Sequence, residues 1–181
     1  MKSRKKPSPK KAKIRPAHAR QKKRSVAAQP WAQRIFGIKV PAMVQLVSVY
    51  LNVKDVDAAL AFYGNAFGFK KKLVMPGPDG QSFHAELLHG NCTIMIGRPA
   101  PESGYKTPAD LGGTPATVYV YVKDVDALAA QARAAGAQIV RELKDEFWGD
   151  RVCGIADLDG HLWYFATLKR IVPPSEMKPP A

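Results

Sequence analysis

One stretch of this chain is written twice. The residues VYLNVKDVDA at 49–58 return as VYVYVKDVDA at 118–127, an offset of 69, and their last six letters are identical. A second correspondence follows in the same order: Gly90-Asn91 opens the run CTIMI, and Gly160-His161 opens LWYFA. The two glycines stand 35 residues beyond Asp55 and 36 beyond Asp124. Landmarks recurring at matched separation mean that one supersecondary unit is built twice, so the fold must be a doubled one.

Each copy has a legible shape. Residues 46–53 alternate Val47, Val49, Leu51 and Val53 against Ser48, Tyr50 and Asn52; residues 116–122 alternate Val118, Val120 and Val122 against Thr117, Tyr119 and Tyr121. A period of two, rich in β-branched and aromatic residues, predicts a strand with two unlike faces. Asp55 and Asp124 then stand at N-cap positions, ahead of the stripes Val56, Leu60, Tyr63, Phe67 and Val125, Leu128, Ala132, Ala135. Gly68 and Gly136 suit the left-handed residue that ends a helix. Three short apolar runs follow in each copy, separated by turn clusters such as Pro76-Gly77-Pro78-Asp79-Gly80 and Trp148-Gly149-Asp150. The order β-α-β-β-β is expected twice, in modules at 44–97 and 114–170 of one domain, 44–170. The Pro- and Gly-rich joint 98–113 interrupts regular structure between them, and 171–181 is a C-terminal tail.

The charge is segregated. Of 28 Lys and Arg, twelve lie between Lys2 and Arg24, whereas the first carboxylate is Asp55. The remaining 16 basic residues nearly balance 15 acidic ones, so twelve of the thirteen net positive charges reside in the tail. Residues 1–30 carry too little apolar surface to fold and are expected to be a disordered basic tail. Ser8-Pro9-Lys10-Lys11 resembles elements of histone-like tails, and with Lys5 and Lys6 it offers non-specific nucleic-acid contacts that weaken as salt rises. Two other readings make the tail a solvated extension or upstream sequence admitted by a misassigned start, with Met43 as the alternative start. Residues 31–43, with Trp31, Ile35, Phe36 and Ile38, read as a linker that docks on the domain or a partner. Cys92 and Cys153 lack metal-type spacing and read as buried reduced thiols of a cytoplasmic protein, and no apolar run is long enough for a membrane span.

The capping Asp after the first strand and the DLDG turn at 157–160 before the last, in doubled βαβββ modules, resemble the vicinal-oxygen-chelate superfamily over about 44–170. That group includes glyoxalase I, bleomycin-resistance proteins, fosfomycin-resistance enzymes and extradiol dioxygenases. The stretches Phe147-Trp148-Gly149-Asp150-Arg151 and Asp157–Trp163 are similar to its PhnB-like, glyoxalase-like branch. The resemblance implies an α+β fold in which eight strands curl around a cleft with helices outside, and a homodimer. It also implies metal ligands at one place on the first and last strand of each module. Counted from the repeat landmarks, those places hold Ser48, Ile94, Thr117 and Tyr164, none of them His, Glu, Asp or Gln. Such a set does not supply the imidazole and carboxylate donors that a catalytic divalent ion takes. No metal or other cofactor is therefore expected, with a displaced divalent metal as the alternative.

Strand parity places Tyr50, Asn52, Tyr119 and Tyr121 on the same face as Ser48 and Thr117, with His84, Glu86 and Tyr164 toward the same cleft. Trp148 and Arg151 stand at a strand entry, where the resemblance places recognition residues. An aromatic surface with few polar groups is what a small-molecule pocket presents. The competing structural readings are core or interface tyrosines, a surface His84/Glu86 pair and an Arg151 engaged by Asp145, Asp150 or Asp157. His161 reads as structural and His89 as solvated. Three functions follow: a metal-independent small-molecule binder; a lyase- or dioxygenase-like enzyme using a displaced metal or His84 and Glu86 as acid and base; and a nucleic-acid-associated protein acting through its tail.

Overall fold

The computed structural model describes residues 33–35, 38–40, 45 and 47–178. The basic tail, Trp31, Phe36 and Met43 lie outside the described residues. Gln33–Ile35 (β1) and Ile38–Val40 (β2) form an antiparallel hairpin within the segment read as a linker. The first module follows as Val49–Asn52 (β3), Val56–Phe67 (α1), Lys70–Pro76 (β4), Ser82–His89 (β5) and Cys92–Gly97 (β6). The joint holds a 3-10 turn at Pro101–Ser103 and a single helical turn, Pro108–Leu111 (α2). The second module comprises Thr117–Tyr121 (β7), Val125–Ala134 (α3), Gln138–Asp145 (β8), Asp150–Ala156 (β9) and Leu162–Leu168 (β10). The order β-α-β-β-β thus occurs twice.

The strands form two four-stranded sheets, β3-β6-β5-β4 and β7-β10-β9-β8, with no hydrogen-bonded ladder between them. In each, the first strand runs parallel to the last and the remaining pairs are antiparallel. The helices start where the sequence supplies a carboxylate: Asp55 accepts from the Ala58 amide at 2.9 Å and Asp124 from the Ala127 amide at 3.0 Å. Gly68 closes α1 in the left-handed conformation: its amide donates to the Gly64 carbonyl, and the Phe69 amide donates to that of Tyr63.

Alternation decides which face each strand buries. Leu51, Val53, Ala85, Leu87 and Ile96 point toward α1, and Trp163 and Phe165 point into the same core from β10. The helices cover the faces opposite the tyrosines and pack against each other. One core therefore spans both modules: the Trp163 ring lies 5.3 Å from Tyr63 and 5.4 Å from Phe67, and Phe165 lies 4.7 Å from Phe67. Aromatic pairs at such separations add to the burial they provide.

Polar bonds stitch this seam. Asp157 accepts from the Tyr63 hydroxyl at 2.7 Å and from Trp163 Nε1 at 3.0 Å, and its other oxygen accepts the amides of Asp159 and His161. Asp159 receives the Lys54 amide at 3.2 Å, and His161 Nε2 lies 2.8 Å from the Asn52 carbonyl. The DLDG turn of the second module is thus a clasp on the first. Burial holds the Asp159 carboxyl above its usual range, and burial beside Asp157 pushes the Tyr63 hydroxyl well up.

Candidate functional site

Both modules turn their non-helical faces outward. On the first, Tyr50 and Asn52 of β3 share a face with His84 and Glu86 of β5, because the registers pair His84 with Gly97, Glu86 with Met95 and Tyr50 with Met95. The Tyr50 ring stacks on His84 with centroids 5.6 Å apart, and its hydroxyl lies 3.3 Å from Nδ1. His84 Nε2 is 3.8 Å from Glu86, whose other oxygen meets Lys72 Nζ at 2.5 Å; Lys72 also donates to Thr93 Oγ1 at 3.3 Å. The bond from Lys72 is the main reason that the Glu86 carboxyl stays below its usual range. The result is a half-buried polar chain, Tyr50–His84–Glu86–Lys72.

On the second module, Tyr119 and Tyr121 of β7 lie beside Tyr164 of β10, which pairs with Tyr119 on one side and Gly154 on the other. The two β7 rings meet edge to face at 5.6 Å. Their hydroxyls donate to one oxygen, Oδ2 of Asp150, at 2.8 and 2.9 Å, and Trp148 Nε1 donates to it at 3.0 Å. Asp150 is 2% exposed, and its Oδ1 has no hydrogen-bond partner among the described residues. Burial is the first reason that the Tyr119 hydroxyl is pushed up to about 12; Tyr121 is raised chiefly by its bond to Asp150. A cavity of about 460 Å³ opens between β3 and β7, lined by Ser48, Val49, His89, Asn91, Tyr119 and Tyr121 among others.

Several expectations need correction. Ile94 does not stand on the tyrosine-bearing face; it is buried against the helix side, and Met95 takes the place that matches Tyr164. Gly90 sits in a two-residue hairpin with His89 paired to Cys92, whereas five residues separate the paired Ala156 and Leu162 around Gly160. Counting from the glycine therefore slips by one residue, and one residue reverses a strand face. Arg151 is turned from the tyrosines: Nε and Nη2 engage Asp126 at 2.9–3.1 Å and Nη1 meets Asp145 at 3.0 Å. Cys92 is exposed, while Cys153 is buried, where desolvation raises its thiol. His89 is not simply solvated, since Nε2 lies 3.0 Å from the Tyr121 carbonyl and the ring packs 5.3 Å from Phe69.

Thr117 shares the face of Tyr119 and Tyr121, and Ser48 lies just before β3 in the lining of the cavity. With Met95 in place of Ile94, the four positions hold two hydroxyls, a thioether and a phenol, a donor set that does not fit a catalytic divalent ion. Among the described residues, no group of three or more His, Cys, Asp and Glu is placed to hold a metal. Sequence reasoning missed Asp150 and Lys72. The signal for Asp150 was its parity with Val152, Gly154 and Ala156, which places its side chain on the tyrosine face. Among the described residues, no helix is long and apolar enough to cross a membrane.

The family model described as the glyoxalase/bleomycin resistance protein/dioxygenase superfamily matches residues 44–165. An uncharacterised protein of Mycobacterium tuberculosis (strain ATCC 25618 / H37Rv) is 42% identical over 120 residues, covering 65% of this chain and 71% of that protein. The crystal structure of TioX from Micromonospora sp. ML1 is 34% identical with a TM-score of 0.58, over 69% of this chain and 99% of that one. The fosfomycin resistance protein FosX from Listeria monocytogenes, 18% identical with a TM-score of 0.52 over 75% of this chain and 98% of that one, shares the fold.

Proposed function

The chain belongs to the glyoxalase/bleomycin resistance protein/dioxygenase superfamily, and from that premise we propose that it binds a small organic molecule on its tyrosine-bearing faces without a metal at the superfamily's usual places. One observation carries this reading: the positions facing the site are Ser48, Met95, Thr117 and Tyr164, while flat aromatic groups surround them. Rings with fixed hydroxyls favour a ligand that stacks and accepts or donates few hydrogen bonds. The open faces suit completion by a second copy, so the working unit is a homodimer. Native mass spectrometry of the purified protein, with elemental analysis after nickel, zinc, cobalt and manganese soaks, tests this. A bound organic molecule and no retained ion is the expected result; a stoichiometric ion lost on substitution of Tyr164 overturns it.

The chain Tyr50–His84–Glu86–Lys72 favours a second reading, a lyase- or dioxygenase-like enzyme. His84 lies between a phenol and a carboxylate, an arrangement suited to moving a proton when a substrate reaches Tyr50. Turnover of a glutathione hemithioacetal or a catechol, lost in H84A and E86Q, would select it. The basic tail supports a separate, non-specific affinity for polyanions.

A further inference from the structure

We propose that the cluster Tyr119–Tyr121–Trp148–Asp150 selects a cationic ligand, one carrying a protonated amine or quaternary ammonium beside an apolar group; the inference rests on the small-molecule reading above and names its ligand class. Asp150 is a carboxylate at 2% exposure, and all three side-chain donors that reach it are neutral. Two hydroxyls and an indole N–H satisfy Oδ2, and they leave its negative charge uncompensated. Arg151, the adjacent cation, is committed to Asp126 and Asp145 on the other face. Among the described residues no basic side chain pairs with Asp150, and its Oδ1 has no partner.

A buried charge left without a countercharge is costly unless a bound group supplies one. The groups that bond Asp150 are also those that would meet such a ligand. Tyr119 and Tyr121 remain 44% and 58% exposed, so their rings are open to contact while their hydroxyls are pinned. Aromatic faces attract a cation through their quadrupoles, and Asp150 behind them adds a full negative charge. Long-range electrostatics work against this preference, because the chain carries a net charge of +13. Any selectivity for cations must therefore arise locally.

The test is calorimetric titration of the full-length protein with benzyltrimethylammonium, benzylamine and benzyl alcohol, probes that share a phenyl ring. The two cations are expected to bind about tenfold more tightly than the alcohol, the scale of a partly desolvated cation–π contact. D150N is expected to abolish that preference, so that the three probes bind the variant alike. If D150N does not fold, the wild-type comparison alone decides. Equal affinities for all three overturn cation selection and leave the small-molecule reading standing. The absence of saturable binding by any probe overturns it as well, and mass spectrometry of co-purifying molecules then judges the broader reading.

Discussion

The phenol of Tyr50 fills the space that a side chain on Gly97 would need. A Cβ at position 97 would fall 2.9 Å from Tyr50 Cζ, so the ring crosses the strand edge to reach His84 only because residue 97 has no side chain. G97A is expected to swing the phenol outward and break its contact with His84. Since Tyr50 is half exposed and free to move, the stability cost should stay below about 1 kcal/mol. Urea unfolding checks the cost, and the shift of the His84 ring resonances checks the displacement.

Tyr119 should resist ionisation. Burial and Asp150 push its hydroxyl up to about 12 from an ordinary 10.0. A group whose folded value is raised stabilises the fold fully below its unfolded value and loses that contribution as pH rises through the folded one. The contribution should therefore fade between pH 10 and about 12. An ultraviolet titration should show late tyrosinate steps, of which those from Tyr119 and Tyr121 move to lower pH in D150N.

Tyr63 spans the seam with its hydroxyl on Asp157 at 2.7 Å, and its ring is 1% exposed. Y63F leaves the packing intact and removes the bond. It is expected to cost about 1–2 kcal/mol in chemical denaturation. Because one core serves both modules, the variant should still unfold in a single transition by both fluorescence and circular dichroism.

Arg151 joins β9 to the start of α3 through Asp126, and Asp145 gives it a second partner. The pairs are partly to largely exposed, so R151M should leave the urea midpoint nearly unchanged. Affinity for the aromatic probes should not change, which separates this arginine from the recognition role expected of it.

Removal of residues 1–30 takes away all twelve tail cations. Retention on double-stranded DNA at low salt is expected to vanish in the truncated protein. In the full chain it should fall steeply as salt is raised, through counterion release. Filter binding across a salt series checks both.

Local features were readable in the letters, and long-range ones were not. Asp55 and Asp124 marked two helix starts because a cap acts over three residues. The facing of Tyr50, Asn52, Tyr119 and Tyr121 followed from strict alternation along short strands. Ile94 was misplaced because the turn glycine keeps no fixed distance from the paired rungs, a property of the ladder rather than of composition. The bond of Asp150 to the tyrosines went unread because Tyr119 and Tyr121 lie 31 and 29 residues away, on a strand joined to its own only through β10. The β1–β2 hairpin also went unread, since strands of three residues carry too little periodicity to register.

The clasp at 157–161 gives the duplication a direction. In the first half the matching bend is only Gly90-Asn91 between paired strand ends, too tight to supply an aspartate that reaches across. Two first halves joined in tandem could stack their helices, yet nothing in them would grip Tyr63 or the Lys54 amide. The doubled unit is therefore an ordered pair, with one member a holder and the other held.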